Sequence, residues 1–229
     1  MADRQRRSSG EAEIGPNAVL QTVRVIEDRL GPEVSAAILA EAGLSGLPSG
    51  ESMIREAHAI ALHRAIARRL PREAAAIARS AGWRTADYIM EHRIPGPVRA
   101  LLRFLPAPLS ARLLMAAIRR HAWTFIGAGR FTIHSPWSFT ISRESAGDDT
   151  HPPSSLFEWY GAVFTRLFRE LVGRDCECRA SMTAPGHEAL VHSYRIARGG
   201  LPETLRPGGD PALPTRRPSM SAGSPARRG

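Results

Sequence analysis

The chain has 229 residues, 43% of them hydrophobic, and a net charge of +9 at pH 7. This length suits one good-sized domain or a domain with tails, and two cysteines are too few for a disulfide framework. The basic start MADRQRRSSG is followed by no apolar run, so we expect no secretory signal and a cytoplasmic protein.

The positive charge is carried by arginine alone, and part of it lies at the C-terminal end. From Gly200 onward there are five arginines against two acidic residues. A modest positive field favours acidic partners such as anionic lipid or a ligand with carboxylates. Because the sequence has no zinc-finger spacing, no aromatic RNA-binding signature and no tight arginine cluster on a predicted helix, we expect no nucleic-acid partner.

The first part of the chain is predicted to be helical. Residues 1–13 are polar and predict a disordered arm. Apolar residues at helical spacing, with proline starts and glycine stops, then predict helices over 17–30, 32–43, 52–70 and 72–92. Gly82 lowers the helix propensity of the fourth by roughly 1 kcal/mol relative to alanine, which allows a bend there.

The stretch from Leu101 to Phe131 predicts the central core helix of the protein. It begins near Pro108 and has almost no polar face before Arg119, a pattern typical of a helix buried on most sides. It is too short and too often interrupted by arginine to span a bilayer. It ends in HAWTFI, after which Gly127 and Gly129 turn the chain into a strand.

From residue 130 the spacing of the apolar residues changes from helical to mostly alternating, which predicts a small sheet together with one long helix. Alternating residues predict strands over 130–134, 137–142, 176–182 and 189–197. Between them, residues 156–171 have apolar side chains at the spacing of the clearest amphipathic helix in the chain. The predicted fold class is therefore α+β: N-terminal helices followed by a small antiparallel sheet packed on a long amphipathic helix. One domain is expected over 14–198, followed by a disordered basic tail over 199–229.

Two patterns are candidates for cofactor sites. Gly127 and Gly129 supply only two of the three glycines of a dinucleotide-binding fingerprint and lie between a helix and a strand, so a helix stop followed by a turn is favoured. Cys176 and Cys178 share a strand face, and His187 and His192 follow on the next turn and strand. Thiolate and imidazole can hold zinc, but the spacing favours two buried thiols and surface histidines.

The run HAWTFIGAGRF, with the RIPGPVRALLRFLPAPLSARLL before it, resembles the BchJ-like bacteriochlorophyll 4-vinyl reductases, which carry a 4-vinyl-reductase domain. The resemblance extends from about Ile14 to Ile196. It implies a role in bacteriochlorophyll synthesis, acting on the 8-vinyl (formerly 4-vinyl) group of a divinyl chlorophyllide or protochlorophyllide, with NADPH as an external donor. It also implies other enzymes of that pathway as partners and leaves open a peripheral place at the photosynthetic membrane.

Related domains in aromatic-sensing regulators hold a structural zinc, which the resemblance projects onto three positions here. They are Phe157, Cys178 and His192. The zinc ligands of the regulators are cysteines, so one ligand is lost at Phe157 and another is exchanged for histidine at His192.

A magnesium tetrapyrrole is flat, largely apolar and acidic at its edge. Binding it takes aromatic side chains, a neutral imidazole for the magnesium and arginine for a carboxylate. The predicted ligand-binding residues lie around the end of the central helix, with an opposite wall from the long helix: Arg119, Arg120, His121, Trp123, Phe125, Trp159 and Tyr160. The alternative is that these aromatic side chains belong to the core and that His121 has no ligand.

Two functions remain open from the sequence. In the first, the protein reduces the vinyl group with an external hydride donor, and Tyr160 and His121 are the candidate proton donors. In the second, the same pocket carries or presents a tetrapyrrole to other enzymes without redox chemistry.

Overall fold

The computed structural model describes residues 12–144, 152–186 and 189–199, with the backbone alone at 144, over 182–186 and over 189–190. All described elements belong to one compact unit. The predicted arm over 1–13 and tail over 199–229 lie outside the described residues, apart from residues 12, 13 and 199. Their predicted disorder therefore stays a prediction.

The N-terminal part of the chain is helical, as predicted. Its four helices are α1 (Asn17–Leu30), α2 (Pro32–Glu41), α3 (Glu56–Arg69) and α4 (Ala74–His92). The helix predicted over 52–70 begins later because Ile54–Arg55 forms a short strand, β2, antiparallel to β1 (Glu13–Ile14). Both isoleucines of this pair are buried, so the pairing brings Ile14 onto the core.

Three helices follow, and one of them differs from its prediction. They are α5 (Gly96–Phe104), α6 (Ala107–His121) and α7 (Trp123–Ile126). The apolar run predicted α6 to be the central core helix, and this prediction is wrong. Only Ser110, Ala111, Leu114 and Met115 of α6 are buried, whereas Leu109 and Leu113 are 43% and 45% exposed. The helix has one buried stripe and faces solvent elsewhere.

The second part of the chain builds one antiparallel sheet. Its strands are β3 (Arg130–Ser135), β4 (Ser138–Glu144), β5 (Glu177–Gly186) and β6 (Ala189–Ala197), in the spatial order β3-β4-β6-β5. Phe139 pairs with Tyr194 and Ile141 pairs with His192 across β4 and β6. These four side chains are buried, because alternate residues of a strand point to the same face. The inner face of the sheet therefore forms one wall of the core.

The central helix of the protein is α8 (Ser154–Leu171), which is buried on nearly all sides. It lies between the sheet and α4. A Cβ on Gly82 of α4 would lie 2.5 Å from the backbone oxygen of Trp159 and 2.8 Å from the Cβ of Ala162. Gly82 therefore permits the close approach of α4 and α8, and α4 continues through it. Helices, a small antiparallel sheet and this long helix confirm the predicted α+β class.

Among the described residues, no helix has the length and apolar character that crossing a membrane requires.

Candidate functional site

His121 is exposed at the C-terminal end of α6, with its ring orientation fixed by the helix. Its Nδ1 lies 2.9 Å from the backbone oxygen of Ala117, one turn earlier. A carbonyl oxygen only accepts hydrogen bonds, so Nδ1 carries the proton and donates it. When the ring is neutral, this tautomer leaves the lone pair on Nε2, the atom that can then bind a metal ion.

Two arginines and a tryptophan are close neighbours of this histidine in sequence. Arg119 and Arg120 precede it and are exposed, and Trp123 follows it with 63% of its surface exposed. Cationic side chains in the last turn of a helix interact favourably with the helix dipole. We call Arg119, Arg120, His121 and Trp123 the His121 surface. It combines a lone pair, an apolar ring and two positive charges.

The other three predicted ligand-binding residues lie inward. Trp159 and Tyr160 are buried, with 4% and 3% of their surfaces exposed. The half-buried Phe125 packs against Tyr160 with ring centroids 6.2 Å apart and against Phe131 at 5.8 Å. The Tyr160 hydroxyl donates a 2.8 Å hydrogen bond to the backbone oxygen of Phe125. The contact between Phe125 and Tyr160 attaches α7 to the core. Trp159 and Tyr160 are buried and do not form the predicted wall of a cleft facing Trp123.

A buried ion pair that was not predicted from the sequence lies beside them. Arg143 on β4 contacts the carboxylate of Glu56 at the start of α3, and both are buried. A second nitrogen of Arg143 donates to the Tyr160 hydroxyl at 3.2 Å, and the amide of Ala128 donates to the other Glu56 oxygen at 2.9 Å. We call Glu56, Arg143, Tyr160 and the Gly127–Ala128 backbone the Glu56 network.

The alternation of residues on β4 indicates one member of this network, Arg143. Phe139, Ile141 and Arg143 are spaced by two on β4, so a buried Phe139 and Ile141 imply that Arg143 also points inward. No such signal identifies Glu56, because its partners are distant in sequence and an acidic residue at a helix start is ordinary.

Burial also raises the pKa of the Tyr160 hydroxyl. Its proton is engaged by the Phe125 carbonyl, and the Arg143 guanidinium donates to its oxygen. Tyr160 therefore has a structural role in this arrangement and holds no proton that faces solvent.

The candidate metal ligands occupy separate places. Cys178 pairs across the sheet with Ile196, whereas His192 pairs with Met182, four residues further along the ladder. His187 lies outside the described residues. In the described part of the chain, no group of three or more His, Cys, Asp or Glu side chains is placed to hold a metal ion. The zinc site proposed for Cys176, Cys178, His187 and His192 therefore stays a prediction.

The chemistry of the two cysteines and of His192 favours a role in core packing over metal binding. Burial raises the pKa of both the Cys176 and the Cys178 thiols, which disfavours the thiolate that a metal requires. His192 stacks on Phe157 with ring centroids 3.3 Å apart, and burial, together with the charge of Arg143, lowers its pKa from 6.5 to about 4. Two of the three positions that the resemblance assigned to zinc thus form an aromatic stack.

His63 on α3 is a second buried neutral imidazole. It is fully buried, and its Nδ1 lies 3.1 Å from the hydroxyl of Ser155 on α8. Burial lowers its pKa from 6.5 to about 4. The unfolded chain therefore binds a proton at His63 in a pH range where the folded protein does not.

We predict that His63 makes the protein less stable as the pH falls from 6.5 towards 4. Above the unfolded pKa of 6.5 its stabilising contribution is complete, and lowering the pH from about 7 to about 5 removes about 2 kcal/mol of unfolding free energy through His63. His192, whose pKa is also lowered to about 4, adds a loss of the same sign. Urea denaturation at the two pH values measures the loss. An imidazole signal of His63 that titrates near pH 6.5 in the folded protein, followed by NMR, would contradict this origin.

Two open clefts lie elsewhere in the described part. A cleft of about 470 Å³ is lined by the 43–55 region together with Glu13, Val19 and His58. Another, of about 420 Å³, lies between Arg103 and the 169–174 segment. Neither is lined by the His121 surface, which is an open face of the molecule.

The fold resembles that of solved H-NOX structures. The Fe(II) unliganded H-NOX protein from K. algicida has a TM-score of 0.54 at 10% identity, covering 81% of this chain and 98% of that one. A point mutant of that protein has a TM-score of 0.53 at 11% identity, with 81% and 97% covered. A structure from work on heme distortion in the H-NOX family has 0.51 at 8% identity, with 82% and 98% covered. The chain is an α+β protein with an H-NOX-like fold.

Relatives define the family more closely. The bacteriochlorophyll synthase 23 kDa chain of Cereibacter sphaeroides is 42% identical over 175 residues, which is 73% of this chain and 84% of that protein. The Rhodobacter capsulatus protein of the same name is 41% identical over 164 residues, 71% and 76% respectively. No family model matches the sequence. The chain belongs to the family of the bacteriochlorophyll synthase 23 kDa chain.

Proposed function

We propose that this protein takes part in bacteriochlorophyll synthesis by binding a magnesium tetrapyrrole, such as divinyl protochlorophyllide or chlorophyllide, at the His121 surface. Family membership supports the pathway, and an H-NOX-like fold described in connection with heme distortion supports the class of ligand. The observation that carries the site is the hydrogen bond from His121 Nδ1 to Ala117, which leaves Nε2 free on an exposed helix end.

The residues of the His121 surface fit the chemistry of such a pigment. A neutral imidazole is a ligand for the central magnesium, and the exposed Trp123 ring offers an apolar face to the macrocycle. Arg119 and Arg120 can each form paired hydrogen bonds with a carboxylate at its edge. Phe125, Trp159 and Tyr160 support this surface from within the core.

Vinyl reduction is the additional step implied by the resemblance to 4-vinyl reductases. A hydride from an external donor such as NADPH would add to one vinyl carbon and a proton to the other, giving the ethyl group and NADP⁺. With the Tyr160 proton held inside the Glu56 network and the His121 imidazole engaged by magnesium and by the Ala117 carbonyl, neither predicted donor is free, and the proton would come from solvent water. A carrier that presents the pigment to other enzymes of the pathway needs the binding step alone, and the described geometry supports binding best.

We predict that His121→Ala weakens binding of divinyl protochlorophyllide about tenfold or more, because an axial ligand is lost from the magnesium. Absorption titration of the purified protein measures the affinity. The matched control is His92→Ala: His92 is also exposed and bonds through Nδ1 to a carbonyl one turn earlier, 3.0 Å from Tyr88. Equal affinities of the His121→Ala variant and the wild type would reject His121 as the ligand.

A second measurement separates carrier from reductase. Protein, pigment and NADPH are incubated together, and the mass of the extracted pigment is followed. A gain of two hydrogens that requires the protein supports reduction. A spectral shift on binding with no change in pigment mass supports the carrier, and the absence of any spectral shift contradicts both.

A further inference from the structure

An unusual share of the exposed apolar surface lies on consecutive helices. Among the described residues, eight large hydrophobic side chains are exposed, and six of them fall between Val98 and Trp123. Phe104, at the end of α5, is 90% exposed. Isolated exposed apolar residues are ordinary, whereas a concentration of them marks a surface that contacts something apolar.

Their spacing forms stripes along α5 and α6. Val98, Leu101 and Phe104 are three apart on α5, and Leu109 and Leu113 are four apart on α6, so each set shares one helix face. The link between the helices is only Leu105–Pro106. We call these five exposed side chains the α5–α6 apolar surface. Leu102 is the only buried residue of α5, so this helix is attached to the body by a narrow contact.

The same region has an extreme charge pattern. Between Glu91 and Glu144 the chain contains eight arginines and no aspartate or glutamate. Arg143 is buried in the Glu56 network, Arg99 is half-buried, and the other six are exposed. One of these six, Arg103, contacts Glu170 of α8. The apolar stripes are thus flanked by an excess of positive charge, including Arg99 on α5 and Arg112 on α6.

We propose that the α5–α6 apolar surface docks on the surface of a membrane that contains anionic lipid. Helices with an apolar face and arginine-rich flanks lie in the interface, where apolar side chains enter the acyl boundary and arginines meet lipid phosphates. Anionic headgroups complement the arginines of this region. A second copy of the chain would bring the same positive surfaces together, and like charges in an interface oppose association. This inference concerns α5 and the start of α6 and is independent of the pigment site.

Vesicle cosedimentation tests the proposal. We expect the full-length protein to bind vesicles of phosphatidylcholine with phosphatidylglycerol and to bind vesicles of phosphatidylcholine alone at least tenfold more weakly. Binding to the anionic vesicles should fall as salt is raised. The L101S/F104S double variant removes apolar contact, and the R99Q/R112Q variant removes two charges worth about fivefold each. Each variant is expected to weaken binding at least tenfold.

Two control variants match these changes in exposed places elsewhere. Leu47→Ser alters a side chain that is 50% exposed in the 43–53 loop, and Arg29→Gln alters an exposed arginine of α1. Both should bind anionic vesicles like the wild type. No binding of the wild type to anionic vesicles overturns the proposal, and so does binding that the α5–α6 variants leave unchanged. The first result would favour an acidic protein partner for this surface. Pigment titration of the same variants shows separately whether the His121 surface is intact.

Discussion

Replacing Arg143 by methionine is expected to lower the free energy of unfolding by about 3–5 kcal/mol, because it leaves a buried carboxylate without its counter-charge. Glu56 is 1% exposed, and after the substitution its carboxylate would keep the amide of Ala128 as a partner but lose the guanidinium that balances its charge. Tyr160 would lose a hydrogen-bond donor in the same step. Chemical denaturation followed by circular dichroism measures the change.

We attribute the size of this stability loss to the unpaired charge of Glu56, and a second substitution tests this cause. Glu56→Gln in the Arg143→Met background removes the charge and keeps an oxygen for the Ala128 amide. The double variant is therefore expected to be more stable than Arg143→Met alone, since the two residues act as a coupled pair. If the double variant is less stable by the sum of both single losses, the ion pair is not the cause.

Arg79→Met serves as the matched control. Arg79 pairs with Glu158 at 3.3 Å, but the two side chains are 56% and 45% exposed. Exposed ion pairs contribute about 0–1 kcal/mol, so this variant should stay close to the wild type. A comparable loss from Arg79→Met would show that burial does not distinguish the two pairs.

Much of the fold follows from periodicity in the sequence. The long helix α8 was predicted from apolar residues at helical spacing, and the strands from alternation, because both patterns are set by the local geometry of the backbone. The helix α5 was not predicted, because Pro95 and Pro97 come just after the helix predicted over 72–92, where proline is typical of a helix end. Proline is equally favourable in the first turn of a new helix, where Pro97 stands.

The burial of a helix depends on what covers it, which a single segment does not reveal. The apolar run in α6 predicted a core helix, yet Leu109 and Leu113 face outward. The Glu56 network escaped prediction for the same reason, since it joins residues 56, 127, 143 and 160 from four separate segments. The residues of the His121 surface could be named from the sequence because they are neighbours at one helix end, and their role in binding a ligand stays a prediction.

The Glu56 network and the His121 surface lie on the buried and the exposed side of the same region. The Glu56 network fixes α7 and the turn at Gly127 to α3, β4 and α8. Because α7 follows α6 directly, the same contacts hold the end of α6 and with it the His121 surface. The pigment site that we propose on this exposed helix end would therefore depend on a buried polar network for its rigidity. Damage to the network should reduce stability first and pigment binding as a consequence.

Gly127→Ala is expected to be almost as damaging as the loss of Arg143, lowering the free energy of unfolding by about 3–5 kcal/mol. Two costs combine. Gly127 has a φ of +57° and a ψ of −124°, which lies outside the left-handed helical region, so an alanine there is strained by at least the roughly 1–2 kcal/mol that the left-handed helical conformation costs. A Cβ there would also overlap the carboxyl group of Glu56, which is held between Arg143 and the Ala128 amide and cannot move without breaking the network.

Gly43→Ala separates these two costs. Gly43 has a φ of +70° and no atom within 4 Å of a Cβ built on it, so only backbone strain applies and a loss of roughly 1–2 kcal/mol is expected. Thermal and urea denaturation of both variants give the comparison. The excess loss at Gly127 should also shrink in the Arg143→Met background, because the network is already broken there. Equal losses at Gly43 and Gly127 would mean that the alanine fits beside Glu56, and the network would then not hold this turn.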